Sequence, residues 1–276
     1  MSTRVPGAAR RGWPWFAVVM WLASGLLLAF IVLPIIRLAV AAPPSSLRQA
    51  AATADVRDAT LLSLQAAAIT AGIATLLGVP LAYLLARGTF RGRGLVQAVV
   101  DLPLVVPHTV AGIALLFLLG RTGWVGAPAT RLGVSFYGSQ WGIVAAMLFV
   151  SAPFAVNSAR VAFEAVDPRL ERAARSLGAS PWHAFRRVTL PLAVRGVLTG
   201  AVLVYARSIS EFGAVVIIAY YPATAPVEIY NRFLQSGLTQ ATAAAVILLI
   251  VTLSTFLVFR ALASGRLLTR IDRAYS

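Results

Sequence analysis

The 276-residue sequence contains no cysteine and no lysine, nine acids and two histidines. Without cysteine there is no disulfide, no thiolate metal ligand and no thiol nucleophile. Without lysine there is no phosphate-binding loop of the P-loop type and no Schiff-base chemistry. His108 and His183 lie far apart in the chain and lack metal-ligand spacing. Charged residues make up 12% of the chain, about half the share of a soluble domain. No polar stretch is long enough to form a soluble domain of its own.

What is present is apolar sequence. Hydrophobic residues make up 59% of the chain, above the range of about 45–50% for soluble domains. The composition therefore points to an all-α polytopic membrane protein. The 24 basic residues are all arginine and give a net charge of +15. A nucleic-acid binder would gather such charge on one polar face. Here the arginines fall between apolar runs, which excludes that class.

Six spans are predicted: Trp13 to Leu38, Thr60 to Ala86, Leu95 to Leu119, Trp141 to Ala165, Gly196 to Tyr220 and Thr239 to Ala263. The first is long enough, at about 1.5 Å per residue, to cross a ~30 Å hydrocarbon core, and is read as a retained helix rather than a signal peptide. Ala42 to Ala59 reads as an outer loop. Pro80 is expected to kink the second span. Pro103 and Pro107 make the start of the third irregular, either lining a pathway or kinking a packing helix. His108 beside that break is expected to be a satisfied polar residue. With the N-terminus inside, segments 1–12, 87–94, 167–195 and 264–276 hold 15 arginines, against five in the outer loops. The positive-inside rule then puts both termini in the cytoplasm.

Between the fourth and fifth spans lies DPRLERAARSLGASPWHAFRRVTLP, Asp167 to Pro191, with five arginines. Arg169 to Leu177 reads as a short helix, ended by Gly178 in a left-handed conformation. Ser180 reads as an N-cap with Pro181 opening a second helix. Spacing alone leaves two uses open, a loop resting on lipid headgroups or a docking element.

The segment resembles the cytoplasmic Glu-Ala-Ala loop of ABC importer permeases. Ala173, Ala174, Gly178, Val188, Leu190 and Pro191 fall in its register, while Arg172 stands where the family has Glu and Glu171 precedes it. The resemblance implies that Glu171, Ala173, Ala174, Gly178, Ala179 and Pro181 form an ATPase-coupling hairpin.

The fifth span carries YARSISEFGAVV, with Arg207 and Glu211 one helical turn apart. Charges at bilayer depth normally face protein or a water cavity. The pair is either an internal ion pair or part of an anion path with Ser210, Pro107 and His108. Gly196 and Gly200 form a GxxxG for close packing. ARSISEFGA, AYYPATAPVEIYNRF and VVPHTVAG resemble permeases for sulfate, molybdate and tungstate, most of all the tungstate/molybdate group. The resemblance implies a type I ABC importer permease fold with a core over 56–263, which includes the coupling hairpin 167–191. It is preceded by 1–55 and followed by a tail, 264–276. It also implies a second copy of the chain, two ABC ATPase subunits that bind ATP and magnesium, and an extracytoplasmic oxyanion-binding protein. The chain itself would bind no cofactor or metal, perform no covalent chemistry, and reside in the cell membrane. A sulfate permease is the alternative within that class. An ion-gradient-driven secondary transporter would show inverted repeats and its own intramembrane ion site, neither of which is visible. A membrane enzyme would need a cluster of ionisable groups, and only Arg207 and Glu211 lie deep in a span.

Overall fold

A computed structural model describes residues 14–265; within them the ordered elements are helices, with no strand. Segments 1–13 and 266–276, with Arg4, Arg10, Arg11, Arg266, Arg270 and Arg273, lie outside the described residues. Five helices are long and apolar enough to cross a membrane, and a bent pair raises the number to six.

The first, α1 (Pro14–Ala41), is exposed around its whole circumference. A helix apolar on every side and covered by nothing in its own chain suits the hydrocarbon region. The expected outer loop is instead helical: α2 (Pro44–Ala52) starts with proline at its first position, and α3 (Ala54–Arg87) begins six residues before the predicted span. Asp55 in the first turn of α3 and Arg87 in its last complement the helix dipole. The helix continues through Pro80.

The third span is two helices, α4 (Arg93–Val105) and α5 (His108–Leu119), bent by 113°. Pro103 remains inside α4, so only Pro107 breaks the chain. Val106, which precedes that proline, is extended at φ −69 and ψ 127, as crowding by the pyrrolidine ring demands. After the short α6 (Gly126–Arg131) comes α7 (Gln140–Ala165), whose N-cap Ser139 accepts from Gly142 N–H.

The fifth span corrects the sequence reading most. After α8 (Pro168–Ser176), helix runs from α9 (Pro181–Ala184) through a π-helical turn, Phe185–Thr189, into α10 (Leu190–Ile209). The span is thus Pro181–Ile209, 29 residues, not Gly196 to Tyr220. Arg207 therefore sits in the last turn of α10 rather than at mid-span, and Glu211 lies beyond its end. The helix stops because the Glu211 carboxylate turns back to accept from Ala214 N–H, at 2.9 Å, ahead of the single turn α11 (Val215–Ile218). An amphipathic helix, α12 (Ala225–Ser236), precedes the last span, α13 (Leu238–Gly265).

The centre of the molecule is α3, α7 and α10 packed on one another. Their contact is made by small residues, Ala66, Ala67, Ala74 and Ala82 on α3 and Ala155 and Ala159 on α7. In a membrane such residues let helices approach closely enough for dispersion to hold them. A Cβ at Gly196 would fall 2.3 Å from Ala162 Cβ, and one at Gly200 3.0 Å from Ser158 Cβ. The GxxxG is a packing surface against α7.

Candidate functional site

The hairpin between α7 and α10 has the geometry its residues predict. Asp167 caps α8 by accepting from Arg169 N–H, and Ser180 caps α9 by accepting from His183 N–H. Between them Gly178 adopts φ +91, a left-handed turn that residues with a Cβ resist. A Cβ there would meet nothing within 4 Å. Ala173, Gly178 and Pro181 are exposed, Ala174 and Ala179 half-buried. Leu170, Leu177 and Trp182 are exposed as well, Leu177 by 90%.

Glu171 faces the other way, into its own chain. Its carboxylate accepts from Arg87 Nε at 3.2 Å, from Tyr83 O–H at 3.1 Å and from the Thr189 hydroxyl. Arg87 also donates to the Val166 carbonyl at 2.7 Å. One carboxylate, its side chain 14% exposed, thus ties α8 to the end of α3 and to the root of α10. Tyr83 continues the joint through edge contacts to Phe163 and Phe185.

At the other end of α10 two broken spans meet. Arg207 Nη2 donates to Glu211 Oε2 at 2.8 Å and lies 3.0 Å from His108 Nε2. His108 Nδ1 is 2.9 Å from the same carboxylate oxygen. The network assigns the ring proton to Nδ1, so that the imidazole donates to Glu211 and accepts from Arg207 at Nε2. Glu211 is 1% exposed, whereas Arg207 and His108 are 25% and 41% exposed. Close approach here depends on glycine: a Cβ at Gly213 would stand 2.8 Å from His108 Cβ, and one at Gly112 2.9 Å from the Ala214 carbonyl. Ser210 is exposed, its hydroxyl 3.5 Å from Arg207 Nη1, and Pro107 precedes His108 as the residue that opens α5. The candidate path residues are therefore brought together, with His108 as a partner of both charges.

A second polar cluster escaped the sequence reading. Asp101 on α4 accepts from Asn157 Nδ2 and from Gln97 Nε2, both at 2.7 Å, and Gln97 Nε2 also reaches Asn157 Oδ1 at 2.9 Å. Asp101 is thus a third ionisable group within an apolar segment, beside Arg207 and Glu211. Its visible signal is an acid four residues after Gln97, which puts both on one helix face. Further along α7, Glu164 pairs with Arg160 at 2.9 Å and Arg93 at 3.1 Å. Among the described residues no group of three or more His, Cys, Asp or Glu could hold a metal ion.

Residues 78–267 match the family described as the inner membrane component of binding-protein-dependent transport systems. The chain belongs to that family. It is a transport subunit of the inner membrane rather than an enzyme. A probable molybdenum ABC transporter permease protein of Haloferax volcanii is 41% identical over 96% of this chain and 99% of its own. The molybdate/tungstate transport system permease protein WtpB of Thermococcus kodakarensis is 48% identical over 72% of this chain and 75% of its own. Among solved structures, a bacterial ABC transporter involved in alginate import superposes with a TM-score of 0.75 at 20% identity, covering 92% of this chain and 96% of that one. That likeness concerns the fold.

Proposed function

We propose that this chain is the membrane-spanning subunit of an ATP-driven importer for tungstate or molybdate. The observation that carries the reading is the end-to-end relation to permeases named for molybdenum and for molybdate/tungstate. Two copies of the chain form the pathway. An ATPase subunit docks on each hairpin from the cytoplasm, and an extracytoplasmic binding protein delivers the anion. ATP and magnesium belong to the ATPase. Both termini are cytoplasmic, in keeping with the arginine distribution.

The hairpin supports this use because its ordered turn presents exposed apolar side chains, Leu170, Leu177 and Trp182, beside exposed arginines. Ala173, Ala174, Gly178, Ala179 and Pro181 form the docking ridge, and Glu171 holds that ridge to the spans. Movement of the ATPase then pulls on α3 and α10 together, and shifts the balance between outward- and inward-open states by differential contact.

The test is reconstitution of the permease with its ATPase and binding protein in proteoliposomes. Molybdate or tungstate enters only with ATP and the binding protein present. ATP-dependent import of sulfate alone would move the assignment to the sulfate permeases. Import driven by an ion gradient without ATP would refute the class.

A further inference from the structure

We propose that Arg207, His108 and Ser210 form a low-affinity contact site for a tetrahedral dianion, with Glu211 as its built-in competitor. The proposal rests on the reading of this chain as an oxyanion permease.

Exposure is the first argument. An ion pair that only held helices together would hide both partners, yet here only the acceptor is hidden. Glu211 is 1% exposed, with Oε1 fixed by Ala214 N–H and Oε2 shared between Arg207 and His108. The two donors are 25% and 41% exposed, and Ser210 beside them is exposed too. Arg207 spends Nη2 on the carboxylate, while Nη1 has a marginal 3.5 Å contact with the Ser210 hydroxyl. That free edge of the guanidinium, with the hydroxyl next to it, is the donor fork that an oxyanion requires.

The second argument is position. His108 is the first residue of α5, a helix without a side-chain cap, and Arg207 lies in the last turn of α10. Two spans are interrupted, and their broken ends are brought together by Gly213 and Gly112. Irregular backbone at membrane depth is tolerated where it is buried in protein or lines a water-filled cavity. His108, Ser210 and Arg207 all remain open at this junction.

The third argument is strength. A conducted ion must bind well enough to enter and loosely enough to leave. Arginine alone would retain a dianion. A carboxylate fixed 2.8 Å from Nη2 lowers that attraction permanently and recovers the guanidinium once the anion departs. His108 donates to the same carboxylate, so it can follow Arg207 toward the anion or return to Glu211.

The experiment uses the complete reconstituted complex and measures anions imported per ATP hydrolysed, with molybdate, tungstate and sulfate as probes. Arg207→Lys keeps a charge opposite Glu211 but loses the planar fork. Its ratio should fall about tenfold, the worth of one charge-assisted hydrogen bond. The pair Arg207→Gln/Glu211→Gln should show a fall at least as large while still co-purifying with the ATPase. A wild-type ratio in Arg207→Lys overturns the site, including where import and hydrolysis decline in step, since that marks a merely structural pair. If the double variant fails to assemble, Arg207→Lys decides alone. A wild-type complex idle with all three anions would instead refute the oxyanion reading, and the site with it. If sulfate alone is imported, the same ratio is read for sulfate.

Discussion

Single residues decide the two places where this chain meets chemistry. Gly178 holds φ +91 with open space around its missing side chain. Within the chain, Gly178→Val therefore costs only backbone strain, on the order of 1–2 kcal/mol. The larger loss is expected at the docked surface, where a branched side chain must enter the ATPase groove. The variant should insert and purify as a permease, yet no longer retain or stimulate its ATPase. Normal import-coupled hydrolysis by Gly178→Val would remove the hairpin from coupling. Glycine at this turn was legible because a left-handed helix terminus has few other solutions. The direction of Glu171 was not. Sequence placed it in the coupling ridge on register alone, and nothing local reveals that Tyr83, Arg87 and Thr189 converge on its carboxylate. The partnership of His108 with Arg207 and Glu211 was hidden for the same reason: it spans 99 positions in the chain.

Elements were legible wherever an apolar run coincided with a helix. The fifth span failed because the run from Gly196 to Tyr220 stays apolar after the helix has ended at Ile209. Hydropathy reports burial in lipid or protein, and both continue past that point. What ends the helix is a polar event, the return of Glu211 to Ala214 N–H. The consequence is mechanical. Pro181–Ile209 is 29 residues of nearly continuous helix, about 43 Å at 1.5 Å per residue, with the hairpin at one end and Arg207 at the other. A rod of this kind works only while it stays seated on α7. Gly196→Leu would force a side chain where Ala162 Cβ already lies 2.3 Å from the ideal Cβ position. The strain should cost about 3 kcal/mol or more, at the upper end of overpacking, and lower the melting temperature of the purified permease. Gly25→Leu on α1 meets nothing within 4 Å and should leave it unchanged. Equal melting of the two variants would show that α10 is free to move away from α7.

At the scale of the molecule, the sequence carries its orientation in its arginines and the structure carries it in the hairpin. Arg169, Arg172, Arg175, Arg186 and Arg187 lie on a segment joined to the ends of α3 and α7, the same side of the bundle as Arg87, Arg91 and Arg93. Each guanidinium taken across hydrocarbon carries a cost of about 2.5–3.5 kcal/mol on insertion scales. No rearrangement of helices can therefore place this end outside while the outer turns, with five arginines, remain within. What hydropathy could not supply was the shape of those outer turns. The run from Ala42 to Ala59 looked like a loop because Pro43 and Pro44 usually punctuate one, yet Pro44 opens α2. A proline at the first helical position gives up only an amide that has no intrahelical partner. The absence of cysteine makes the orientation directly measurable. Ser45 and Ser236 are exposed on the side opposite the hairpin, and Ser180 is exposed at its turn. In intact cells a membrane-impermeant thiol reagent should label Ser45→Cys and Ser236→Cys. Ser180→Cys should react only after permeabilisation, and bound ATPase should slow that reaction by covering the turn. Labelling of Ser180→Cys in intact cells would invert the molecule and detach the hairpin from any cytoplasmic ATPase.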